Sequence, residues 1–154
     1  MGFWIHVGPL SKTALPERVT ELRPLIGPGD TVGEGCEGAT RWQSYPYPNT
    51  APGYLSDAAG HTPAHAALES QSIIAGEPQA AVAHPDGVPV VSALVLQQEL
   101  EACARANCWN ISTRVGRDEL DEIDDHPGVA KYLARDLYFA VSLVLAEGTV
   151  ALLD

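Results

Sequence analysis

RDELDEIDDHPGVAKYLARDLYFAVSLVLAE, residues 117–147, is the stretch on which the fold turns. Its first part packs six acids, Asp118, Glu119, Asp121, Glu122, Asp124 and Asp125, into eight positions. In its second part, from Leu137 to Ala146, Ser142 is the one clearly polar residue. Two readings of that apolar run compete: a strand turning at Glu147-Gly148 into a hairpin, or a helix. Lys131, Arg135, Tyr138 and Ser142 recur at spacings of four, three and four, which traces a polar stripe down one side of a helix. A half-buried strand would alternate instead. The spacing therefore predicts a core helix over 127–146, with Gly148 just past its end and a last strand over 149–153. The acidic run, joined to it at His126-Pro127-Gly128, reads as a short helix held by Leu120 and Ile123 with its acids in water.

Working outward, Ser92 is a good cap for a helix over 93–107, with Leu96, Leu100 and Cys103 on one face. Trp109, Ile111, Thr113 and Val115 alternate with Asn110, Ser112 and Arg114, which predicts a strand over 109–115. The β-prone opening predicts a strand over 3–8, closed by Gly8-Pro9, with a helix over 15–23 after it. Thr62 and Pro63 mark the start of a helix over 63–75, and a short strand is expected over 79–83. Residues 27–60 hold seven of the 14 Gly, four of the 12 Pro and the aromatics Trp42, Tyr45, Tyr47 and Tyr54. That mixture predicts a long loop whose rings either tuck beneath it or await a partner. The expected fold is α+β: one domain over 1–154, a small mixed or antiparallel sheet of about four short strands, and about four helices. First and last strands are expected as neighbours.

The 154 residues carry a net charge of −11, which disfavours nucleic acid and anionic membrane as partners, since both need clustered Lys and Arg. Between Arg41 and Arg105 there is no Lys or Arg, while Asp57, Glu69, Glu77, Asp86, Glu99 and Glu101 fall in the gap. A partner facing that region is expected to be basic or neutral. With no basic-then-apolar leader and no apolar run near the roughly 20 residues a bilayer needs, the chain reads as soluble and cytoplasmic. Cys36, Cys103 and Cys108 have no framework spacing, as expected of reduced thiols. In that setting Asn110-Ile111-Ser112 is not a working glycosylation site.

No motif names a chemistry. Gly33-Glu34-Gly35-Cys36-Glu37-Gly38 spells G-x-G-x-x-G, but Glu34 and Glu37 would repel a pyrophosphate and no amphipathic helix follows. His61 and His65 stand four apart, the spacing at which two imidazoles on one helix share zinc. Pro63 leaves His61 outside the helix, however, so no cofactor or metal is expected. Cys36, in the glycine-rich loop, is the thiol expected to be accessible; as a nucleophile it would need a base such as His61 beside it. The leading expectation is therefore a protein-interaction module, for instance an inhibitor or immunity-type protein. It would dock on a basic partner through Asp118–Asp125 and the aromatics Trp42, Tyr45, Tyr47 and Tyr54. Two alternatives stand beside it. One is a homo-oligomeric subunit with 137–146 buried between chains. The other is a small enzyme or ligand binder with a pocket under 42–54, using His61, His65 or Cys36.

Overall fold

The apolar run does form a helix. In a computed structural model that describes residues 2–3, 5–9, 42–44, 46–70, 72–76, 89–113, 115–116, 126–147 and 149–153, it belongs to a 22-residue helix, His126–Glu147. In chain order the elements are β1 (Gly2–Phe3), β2 (Ile5–Pro9), β3 (Trp42–Gln43), β4 (Tyr47–Pro48), α1 (Ala51–Ala58), α2 (Pro63–Ala67), β5 (Ser72–Ala75), β6 (Val90–Ser92), α3 (Ala93–Asn107), α4 (His126–Glu147) and β7 (Thr149–Leu153). The architecture is α+β. A five-stranded mixed sheet runs β3-β2-β7-β5-β6, and β1 pairs with β4 in a separate two-stranded ribbon.

β7 lies at the centre of the sheet, antiparallel to β2 on one side and to β5 on the other. The expected pairing of first and last strands is thus seen, with Ile5 opposite Leu153 and Val7 opposite Ala151. Residues opposite one another share a face of the sheet. Ile5, Val7, Ile74, Val91, Ala151 and Leu153 therefore form one apolar face, and all six belong to the core cluster. α4 packs against β2, β5 and β7, and α1 and α3 pack against α4. Leu133, Leu137, Ala140, Val141 and Val144 of α4 are at most 1% exposed, which makes it the core helix the sequence predicts. Its polar stripe is only partly in water. Arg135 is buried, and Lys131, Tyr138 and Ser142 are half-buried.

Four expectations are corrected. Residues 109–113 and 115–116 form no strand, although Ile111 and Val115 are buried as the alternation implies. Asn110 Oδ1 accepts the Ser112 backbone N–H at 3.1 Å, and this local bond takes the place of a ladder. The helix expected over 63–75 ends at Ala67, and β-branched Ile73 and Ile74 instead enter β5, parallel to β6. The described part of the expected 27–60 loop contains β3, β4 and the eight-residue α1, which buries Ala51 and Leu55. Finally Cys108, which is not expected to be accessible, is exposed at the left-handed end of α3 with φ 56°. The expected helix over 15–23, strand over 79–83, acidic helix and glycine-rich loop around Cys36 all lie outside the described residues.

Candidate functional site

Tyr47 of the aromatic segment turns inward. β1–β4 pairing sets Tyr47 opposite Phe3, and Tyr47 is only 1% exposed. Its hydroxyl donates to Asp136 Oδ2 at 2.5 Å and lies 3.1 Å from the Tyr132 carbonyl. A buried carboxylate of α4 thereby gains a donor from a segment 89 residues away. Trp42 meets Phe139 edge to face, with ring centroids 5.1 Å apart. Tyr54 is half-buried against the same cluster. Trp42, Tyr47 and Tyr54 are therefore largely spent on the core. Tyr45 and the acids Asp118, Glu119, Asp121, Glu122, Asp124 and Asp125 lie outside the described residues, as does Cys36.

The two histidines part company. His61, at φ 56°, follows α1 and is exposed; its Nε2 lies 2.8 Å from Asp57 Oδ1 and its Nδ1 3.2 Å from Ser56 Oγ. His65 is 1% exposed, with Nδ1 3.0 Å from Glu99 Oε1 and 2.8 Å from Thr62 Oγ1. Glu99, reaching across from α3, also accepts the backbone N–H groups of Ala64 and His65, each at 3.3 Å. It supplies from another helix the cap that Thr62, with no side-chain cap bond of its own, leaves open. Burial holds the His65 imidazole below its ordinary pKa, with Glu99 pulling the other way. Burial also acts on Glu99 in the opposite sense, but the bonds from Thr62, His65 and Ala64 outweigh it and keep the carboxyl below its usual range. The pair is thus a neutral imidazole donating from Nδ1 to a carboxylate. Its Nε2 is buried without a partner, as is the Ser72 hydroxyl. Among the described residues no three His, Cys, Asp or Glu side chains converge as a metal site. His61 and His65 serve different carboxylates, Asp57 and Glu99.

A third arrangement had no sequence motif behind it. Where α3 ends, the Cys108 turn is closed by the Trp109 backbone N–H donating to the Ala104 carbonyl at 2.8 Å. The turn brings Trp109 and Ile111 beside Tyr138 of α4. Around them is an open surface depression of about 300 Å³, lined among others by Glu101, Arg105, Trp109, Asn110, Ser112 and Tyr138. The Tyr138 hydroxyl donates to Glu101 Oε1 at 2.9 Å, and that bond, together with burial and the nearby charge, raises the phenol's pKa. Glu101 and Arg105, one helical turn apart on α3, form no ion pair with each other. Arg135 anchors the far side of the 109–113 segment: its Nε donates to the Thr113 carbonyl at 2.9 Å, and its guanidinium carbon lies 5.2 Å from the Tyr132 ring centroid.

Searches of protein-family models, of curated proteins and of solved structures found no match to this chain.

Proposed function

We propose that the chain is an acidic protein-interaction module that docks on a basic or neutral surface of another protein. One observation carries this reading. The stretch from 42 to 104, which has no Lys or Arg, builds α1, α2, β5, β6 and nearly all of α3. These elements pack on one another, α1 with α2, α2 with α3 and β6, and β5 with β6. These packed elements bring together, among the described residues, a stretch of chain without Lys or Arg, with Asp57 and Glu69 exposed on it. A field of one sign speeds encounter with a partner of the opposite sign and sets its orientation. The acidic run Asp118–Asp125 lies outside the described residues and adds six negative charges to the chain. It is proposed here as a contact on charge alone.

Of the 137–146 segment named in the oligomer alternative, Leu137, Ala140, Val141 and Val144 are buried within this chain's own core, while Leu145 is 39% exposed. No described helix is long and apolar enough to cross a membrane.

Capture on the immobilised chain from native extract, followed by reconstitution with each purified candidate, tests the proposal. The expected result is a stoichiometric complex with a basic protein that weakens steeply between 50 and 200 mM salt, on the order of tenfold or more. Replacing the six acids of 118–125 with their amides should slow association. Binding indifferent to both salt and that replacement overturns the reading.

A further inference from the structure

We propose that the depression between the end of α3, the 109–112 segment and Tyr138 receives an arginine side chain of the protein partner. Glu101 would be its counter-charge, and the Trp109 and Tyr138 rings its walls. This inference rests on the docking reading above and gives it a specific anchor point.

Size is the first argument. The depression is open and holds about 300 Å³, the lower limit for a small-molecule site, which suits one long side chain laid into it from a neighbouring surface. Chemistry is the second. The Tyr138 hydroxyl ties up Oε1 of Glu101 at 2.9 Å and so orients the carboxylate, while Oε2 remains available for a second donor. A guanidinium offers a planar fork of N–H groups to that oxygen while its flat face stacks on an aromatic ring. Trp109 is suited to this role because it is positioned through its backbone, by the bond to Ala104, and its indole makes no hydrogen bond.

Charge is the third argument, and it decides the sign of the ligand. The lining holds one acid, Glu101, and one base, Arg105, and the two leave each other unpaired. Taken alone they would suit a cation or an anion equally. The molecule as a whole carries −11, and α3 contributes Glu99 and Glu101 with no base before Arg105. A cation therefore gains from the wider field, and an anion is repelled by it. Arg105, exposed at the rim, acts against the incoming guanidinium and is expected to tune affinity downward. Aromatic and arginine anchors seated in pockets are the side chains that usually dominate protein interfaces.

The test uses the whole chain labelled with ¹⁵N, and needs no partner. The indole N–H resonance of Trp109, assigned by its loss in Trp109→Phe, is followed while Nα-acetyl-arginine methylamide is added. The corresponding blocked glutamate serves as the anionic probe. The arginine probe should shift that resonance saturably, with affinity in the millimolar range. Glu101→Gln should weaken binding about threefold to fivefold, and Arg105→Ala should leave it equal or tighter. The inference is overturned by an unsaturable or absent shift, by an unchanged affinity in Glu101→Gln, or by glutamate-probe binding that Arg105→Ala abolishes. A basic partner whose binding survives both Glu101→Gln and Trp109→Ala also overturns this site while leaving the docking reading intact.

Discussion

Tyr47 shows how a single side chain can join distant parts of the sequence. Buried carboxylates need donors, and the Tyr47 hydroxyl supplies one to Asp136 across 89 residues of chain. Tyr47→Phe keeps the ring and deletes the donor. It should destabilise the fold by about 1–3 kcal/mol, read as a lower urea midpoint with an unchanged slope. His65 makes a prediction of the opposite kind, in pH. Its folded pKa lies below the ordinary 6.5, so in the window between the two values the unfolded chain binds a proton that the folded chain refuses. Stability from this group is therefore complete above pH 6.5 and is lost as pH falls through that window. The His65 Cε1–H resonance should still show the neutral form at pH 6.5, where a free imidazole is half protonated; a midpoint at or above 6.5 would contradict the geometry. The sequence showed both residues, but not their use. A tyrosine between prolines reads as stiff and extended, with its ring either tucked under the loop or awaiting a partner, and Asp136 beneath it decides which.

At the scale of elements, agreement tracks how much of an element's stability is local. α3 spans the expected 93–107: Ser92 Oγ accepts the Val95 N–H at 3.3 Å, and Leu96, Leu100 and Cys103 line its buried side. Cap and periodicity are both written within a few residues. α1 has no side-chain cap bond and includes Pro52 and Gly53, so its propensity is poor; its support comes from packing on α4. The early end of α2 and the missing 109–115 strand have the same explanation, since a strand needs a partner edge and β5 has one in β6 and β7. Cys108 holds the turn after α3 at φ 56°, where a Cβ is strained by roughly 1 kcal/mol. Cys108→Gly should raise stability by about 0.5–1 kcal/mol in urea denaturation, since the exposed thiol makes no hydrogen bond that would be lost. A loss of stability would show that the thiol has a structural role.

For the molecule as a whole, β7 is the decisive piece, because both halves of the sheet are built on it. β2 and β3 lie on one side, β5 and β6 on the other, and β7 bonds to both β2 and β5. Ending the chain after Glu147 would strip β2 and β5 of their shared neighbour and expose Ile5, Val7 and Ile74. The shortened chain should lose cooperative unfolding and become sensitive to protease, whereas removal of an edge strand would be expected to do less. The sequence by itself determined the α+β class, the long core helix, the capped α3, the last strand and the excess of negative charge. Each of these is encoded in local spacing or plain composition. Tertiary structure alone decided that Trp42, Tyr47 and Tyr54 pack against the core, that His65 pairs with Glu99 rather than His61, and that Glu101, Trp109 and Tyr138 line one surface depression. The physical reason is that burial and hydrogen bonding between residues 34 to 89 positions apart depend on chain crossings that no local pattern records.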